Sequence, residues 1–219
     1  MSRNKTLSKN SILKSAKKFF LENGFEKTSM RAIAKEAGLT VGALYRYFES
    51  KSALFEALVE PTLNGAVELY NKELTLALNN LDTITNKPNC YIDEDSTAGI
   101  LILEYIYEHY DIFDLMFNCS QGTKYERIQE FFVDMEITGT KRFIKALEDR
   151  KKIKNPFSER ELHIFCTMGL TPLFEVISHK YSYEEAVKMV KLMFYGQCCA
   201  WNSICRIRAD QGQPEVVDE

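Results

Sequence analysis

Long apolar runs are missing from this sequence, and no stretch approaches the ~20 residues that a membrane-spanning helix needs. Met1 to Lys5 lead into polar, lysine-dotted sequence with no apolar signal core behind them, so a cytoplasmic protein without membrane attachment is expected. Glycine and proline are few, ten and five in 219 residues, and the apolar positions recur at helical spacing, which argues against an all-β fold. The six cysteines lack a paired framework spacing and fit a reducing compartment better than a secreted scaffold. There is no P-loop, no G-x-S-x-G, no dinucleotide glycine pattern and no H-E-x-x-H. His163 and Cys166 stand three apart, but spacing supplies no third ligand, so no metal, cofactor or catalytic residue is expected. With 45% hydrophobic and 27% charged residues, the chain is globular and long enough for one large domain or two small ones.

Charge is unevenly distributed. Residues 1–60 carry eleven basic and six acidic side chains, a net of +5, and the remainder carries seventeen and twenty-five, a net of −8. A basic head on an acidic body suggests that one end meets a polyanion, although small domains often differ by a few charges.

The head has its own pattern. Ser8 can cap a helix whose apolar positions Ile12, Leu13, Ala16, Phe19 and Phe20 fall on one face, with Gly24 as its stop. Ser29 caps a short second helix with Ile33, Ala34 and Ala37 inward, ended by Gly38. Thr40 caps a third, Val41 to Phe48, which Leu44 and Phe48 can anchor to the first. Two short helices around a glycine-containing turn make a helix-turn-helix, whose second helix enters the DNA major groove. Val41, Gly42 and Ala43 would meet base edges, where small apolar groups suit thymine methyls. Gly42 costs a helix about 1 kcal/mol relative to alanine. It either admits close approach of DNA or merely eases the turn. Tyr45, Arg46, Tyr47 and Lys51 suit phosphate oxygens, although one tyrosine can equally be core. Thr28, Ser29, Arg31 and Thr40 stand at helix starts, where hydroxyls and backbone N–H groups can hold phosphates.

The run TSMRAIAKEAGLTVGALYRYFESKSALFEAL, Thr28 to Leu58, resembles the DNA-binding domain of the TetR/AcrR family of transcriptional regulators. Gly24-Phe25, the T-S opening, I-A-x-x-A-G-L, G-x-L-Y-x-Y-F and the lysine before the fourth helix carry the likeness over about fifty residues. Many relatives have histidine where Tyr47 stands, so a phosphate bond there would come from a phenol. The resemblance implies an all-α fold of about nine helices. A helix-turn-helix DNA-binding domain of three helices would occupy residues 1–50. A helical ligand-binding and dimerisation domain would occupy 51–209, with a disordered tail at 210–219.

In the body, Ser50 begins a fourth helix that Pro61 should bend and that runs to about Leu78. Asn79 to Asp95 has loop composition. Thr97 to Tyr110 is apolar nearly all round, the mark of a buried helix. A short helix follows at Ile112 to Asn118, then a long one from about Gly122 to Lys151. Ser158 with Glu161 and Ser182 with Glu185 form capping boxes that open two further helices. These last two are too apolar for one core, and the family likeness agrees that they form a homodimer interface, with Phe174, Phe194, Cys198 and Trp201 at its centre.

Glu104, Tyr105, His109, Phe113, Met116, Phe117, Cys119, Phe132, Met135 and Cys166 are the candidate lining of an effector cavity, against ordinary core packing as the alternative for each. The function expected from these features is that of a repressor. It would bind a palindromic double-stranded DNA operator as a homodimer and be released by a small, mainly hydrophobic effector. The alternatives are an inducer-free DNA-binding protein acting on nucleoid or cell division, an enzyme using the cavity, and a regulator triggered by a protein partner or by thiol oxidation. For the last, Cys198 and Cys205 are about 10.5 Å apart along one helix, beyond disulfide reach within a chain.

Overall fold

The computed structural model describes residues 2–81, 97–150 and 153–210, and every regular element among them is an α-helix. The helices are α1 (Ser2–Lys27), α2 (Met30–Glu36), α3 (Val41–Tyr45), α4 (Lys51–Asn79), α5 (Thr97–Glu108), α6 (Tyr110–Asn118), α7 (Ile128–Asp149), α8 (Glu159–Ser178) and α9 (Tyr183–Asp210). Most of the expected loop at 79–95 and nearly all of the expected tail lie outside the described residues.

Several boundaries differ from expectation for local reasons. No glycine or proline interrupts Ser2 to Asn23, so α1 starts at Ser2 and Ser8 is interior to it. Gly24 breaks its helical geometry at φ 74°. The third helix stops at Tyr45, because the N–H groups of Tyr47 and Phe48 both turn back to the Leu44 carbonyl, at 2.9 and 3.1 Å. Gly122 at φ 80° and hydroxyl bonds from Ser120 and Thr123 to nearby carbonyls hold 120–127 as turns, so α7 begins at Ile128. Pro61 is exposed and lies within an α4 that continues past it. Among the described side chains of α5, Leu103 and Ile106 are buried and Leu101 is exposed, so the helix is not covered on all sides.

The chain forms two compact units. One holds the residues up to Glu68 together with Tyr105–Ile128; the other holds Leu69–Glu104 and the residues from Gln129 onward. The boundaries between these units fall after Glu68, Glu104 and Ile128, and within the first unit α6 packs on α1. The core of the first unit is Ile12, Ala16 and Phe20 of α1 with Ile33, Leu44, Leu54, Phe55 and Val59. Phe20, Phe25 and Phe55 meet pairwise at 5.1–5.9 Å between centroids, and Tyr125 adds a fourth ring at 5.9 Å from Phe55.

The corner between α1 and α2 is held by two side chains. Thr28 is buried, and its hydroxyl donates to the carbonyls of Gly24 (2.8 Å) and Phe19 (3.0 Å). The Lys51 ammonium donates to the carbonyls of Phe25 (2.7 Å), Glu26 (3.0 Å) and Thr28 (3.0 Å) and sits 4.4 Å from the centroid of the Phe25 ring. An ammonium has three protons, and all three are placed. Replacing Lys51 with alanine removes the charged donor from all three carbonyls, leaving the Phe25 carbonyl with only the Thr28 N–H at 3.3 Å, and a loss of about 2 kcal/mol is expected from such charge-assisted bonds. Denaturant unfolding of the variant against the parent measures it; equal midpoints would show that the corner holds without the lysine.

Candidate functional site

The turn that presents α3 is built by glycine. Gly38 adopts φ 69°, and Leu39 N–H reaches back to the Ala34 carbonyl at 2.9 Å, closing α2 and redirecting the chain. Ser29 Oγ accepts from Ala32 N–H and Thr40 Oγ1 from Ala43 N–H, each at 3.1 Å, as the capping pattern expects. Both hydroxyls keep their own proton for an outside acceptor. Leu44 is fully buried and Phe48 nearly so, which fixes the rotation of α3 and turns Tyr45 and Arg46 outward.

The expected DNA residues separate into two groups. Ser29, Arg31, Thr40, Gly42, Tyr45 and Arg46 are exposed, and Val41, Ala43 and Tyr47 are half-buried beside them. Nothing lies within 4 Å of where a Cβ on Gly42 would stand, so packing inside the chain does not demand glycine there. Thr28 and Lys51 belong elsewhere: their polar atoms are engaged by the carbonyls of the α1–α2 corner, and both are structural. Two lysines of α1 are also paired, Lys17 with Asp111 at 2.7 Å and Lys18 with Glu36 at 2.8 Å.

The expected effector lining does not form one cluster in either unit. In the first unit, Tyr105 donates its hydroxyl to the Thr62 carbonyl (3.1 Å), stacks on His109 at 4.3 Å and meets the buried Phe113 edge-on. Phe117 is half-buried and Met116 is sealed in this unit's core. Cys119 packs on the end of α1, where its carbonyl accepts from Phe25 N–H at 2.9 Å. It is therefore an internal joint of the first unit. Alongside it, Tyr125 donates to Glu60 at 2.6 Å, and Lys124 bridges Glu60 and Glu56.

In the second unit, Glu104 is exposed and bonded to the Tyr183 hydroxyl, while Phe132 and Met135 are half-buried. Cys166 joins a group of residues that sequence reasoning missed. Its thiol lies 3.8 Å from Thr140 Oγ1, Thr140 Oγ1 donates to Glu136 Oε1 at 3.2 Å, and the Tyr70 hydroxyl lies between the Met135 carbonyl, at 3.5 Å, and the Glu136 carboxyl. Gly139 is required here, because the Tyr70 hydroxyl occupies the place a Cβ would take. Burial pushes the Glu136 carboxyl above the ordinary glutamate range, against the two hydroxyl bonds. The Tyr70 phenol is pushed up by burial and by the Glu136 carboxylate, and the Cys166 thiol is lifted to about 11, mainly by burial. The signal that could have found Glu136 is its place between Val133 and Gly139, both buried, while the neighbouring acids Glu130 and Asp134 are exposed.

The last two helices pack on each other through Gln197, whose amide donates to the Phe165 carbonyl at 2.9 Å and lies against Gly169. Of the expected interface residues only Cys198 is exposed. Phe174 is buried, the Phe194 ring fills the space beside Gly99, and Trp201 packs on Phe157 and Phe165 at 5.6 and 5.9 Å. These three serve their own unit. Exposed apolar side chains on these helices include Ile164 and Met168 on α8 and Tyr183, Met189, Leu192, Met193 and Tyr195 on α9.

Two short helices around a glycine turn, rigidly seated and outwardly polar, define a helix-turn-helix head. Residues 12–58 match the model of the bacterial regulatory proteins, tetR family, and this N-terminal domain belongs to that family. Over 48 residues, 22% of this chain and 24% of the relative, it is 46% identical to the HTH-type transcriptional regulator UidR of Escherichia coli K12. Over 55 residues, 24% and 27% of the two chains, it is 45% identical to the nucleoid occlusion factor SlmA of Actinobacillus pleuropneumoniae. The aligned segment thus spans about a quarter of the length of these curated relatives. The fold extends further. NalD, the secondary repressor of the MexAB-OprM multidrug efflux pump in Pseudomonas aeruginosa, superposes with a TM-score of 0.53 at 19% identity, covering 86% of this chain and 95% of that one. Among the described residues no helix is long and apolar enough to cross a membrane, and no group of three metal-ligating side chains occurs.

The raised Glu136 carboxyl makes a prediction with a definite sign. Between the ordinary glutamate value and its own higher value, the unfolded chain has released a proton that the folded chain still holds, so stability falls as pH rises. The contribution is fully present below the unfolded value and is lost as pH passes through the folded one. Glu136→Gln removes this loss, so the melting temperature of the variant should decline less than the parent's from about pH 5 to 8. Parallel slopes in the two proteins would show that the carboxyl is not burdened by burial.

Proposed function

We propose that the chain is a DNA-binding transcriptional regulator acting as a homodimeric repressor, whose operator affinity is lowered by a small molecule bound in the second unit. The observation that carries the reading is the seating of α3. Leu44 and Phe48 fix its inner face, and Thr40, Gly42, Tyr45 and Arg46 are left outward. Base edges would meet Val41, Gly42 and Ala43, and the open space over Gly42 favours close approach as the reason for glycine. Ser29, Arg31, Thr40, Arg46 and Tyr47 would hold phosphates. The chain is read as a binding protein rather than an enzyme. An inducer-free nucleoid protein would share the whole head, and the carboxyl enclosed in the second unit favours the ligand-responsive reading.

Selection from random duplexes gives the operator and tests the reading directly. On the selected site, Arg46→Ala should reduce the slope of log K against log salt by about 0.9, the value of one released phosphate counterion. Lys51→Ala should leave that slope unchanged, because its ammonium faces carbonyls of its own chain. An unaltered slope for Arg46→Ala would remove it from the phosphate surface.

The dimer would be made by the outward face of α8 and α9. Ile164, Met168 and Leu192 are each about 60% exposed, at 59, 62 and 62%. Leu192→Glu or Met168→Glu should give a folded monomer, since the charge is hydrated in the free chain and would be buried unpaired in the dimer. Sedimentation of either variant as a dimer at micromolar concentration would place the interface elsewhere.

A further inference from the structure

We propose that Glu136 anchors the effector, and that its carboxyl, flanked by the hydroxyls of Tyr70 and Thr140, selects a ligand bearing an amine or similar cationic N–H donor on an apolar frame. This deepens the regulator reading above and rests on it. An enclosed carboxylate is tolerated when it is paired with a cation or fully hydrogen-bonded. Its two oxygens offer about four acceptor positions. Here only two neutral hydroxyls reach it, from Tyr70 and Thr140, and among the described residues no Lys, Arg or His pairs with it. Arg142, the nearby cation, acts on the Tyr70 phenol and points to solvent.

The surroundings suit a guest. Three helices meet at the site: α4 brings Tyr70, α7 brings Glu136, Gly139 and Thr140, and α8 brings Cys166. Tyr70, Glu136 and Thr140 each keep surface that a water-sized group can reach, although helices hem them in. Cys166 stays a neutral thiol at physiological pH, so Glu136 is the member of the group that would carry the negative charge once a cation entered and favoured its ionised form. Half-buried Phe132 and Met135 on the same helix offer the apolar contact that an alkyl or aryl frame needs. A cation entering there completes the pairing that the chain leaves open. A neutral hydrophobe of the same shape would not, so the charged group decides the selectivity.

Trp201 is the sole tryptophan, and it packs, as Ile137 does, against the cluster that contains Cys166 and Ile144, so its emission reports on this interior. The full chain is titrated with 4-phenylbutylamine, 4-phenylbutanol and 4-phenylbutyrate, which share one frame and differ in charge. The amine should bind at least tenfold more tightly than the alcohol, and the carboxylate more weakly than either. Glu136→Gln should abolish the advantage of the amine while leaving the alcohol unchanged, and should melt at or above the parent temperature. Three results would overturn the proposal: no binding or no preference in the parent, a preference that survives in Glu136→Gln, or a lower melting temperature for that variant, which would mark the carboxyl as structural. Operator affinity is measured on the same samples. Amine binding that depends on Glu136 but leaves operator affinity untouched would support the anchor and refute the repressor reading.

Discussion

The Lys51 ammonium closes the corner on which the head is assembled. Gly24 ends the regular part of α1, and the chain must then turn through Phe25 to Thr28 with carbonyls that no helix satisfies. Lys51 gathers three of them from the first residue of the next long helix, and its charge rests against the Phe25 ring. The start of α4 is thereby tied to the end of α1, and Phe55, one turn further on, is delivered between Phe20 and Phe25. Thr28 then hands the chain to Ser29, whose cap sets α2, and the Gly38 turn sets α3. The orientation of the recognition helix depends on a lysine that contacts no part of it.

That dependence explains which features were legible in the sequence. Caps and glycine stops act over three or four residues, so Ser29, Thr40, Ser158, Gly24 and Gly38 were placed correctly from spacing alone. Leu44 and Phe48 were legible because their burial follows from helical periodicity. Lys51 and Thr28 were not, since a basic residue and a hydroxyl at a helix start suit a phosphate as well as a carbonyl. The choice between those partners is made by residues up to 26 positions away. Glu136 was hidden for the opposite reason: one acid among several on a helix is indistinguishable from its solvated neighbours until α4 and α8 close over it. The contacts of Trp201 with Phe157 and Phe165 were not legible, because an apolar helix has two partners to choose from, its own unit and a second copy, and composition does not rank them.

Two places among the described residues depart from stability rules, and they differ in kind. The exposed Ile164, Met168 and Leu192 leave apolar area in water, a cost removed by any complementary surface. The enclosed Glu136 leaves charge without a counterion, a cost removed by chemistry of one sign. Consistency at all other levels makes such departures informative, because local conflicts in natural sequences gather where binding occurs. One surface therefore specifies a shape, and the other specifies a charge.

The joint between Phe25 and Cys119 has a consequence for anyone wishing to exchange heads between regulators. The first compact unit is discontinuous in sequence: it takes in residues up to Glu68 and then borrows Tyr105–Ile128. Transplanting residues 1–50 alone would cut Lys51 from its three carbonyls, Cys119 from Phe25 and Tyr125 from the phenyl cluster. A chimera that respects the architecture carries both segments across together, so that a change of operator specificity brings with it the stretch joining α5 to α7. Recombination within this fold would then be expected to succeed with three crossovers, after Glu68, before Tyr105 and after Ile128, and to fail with one.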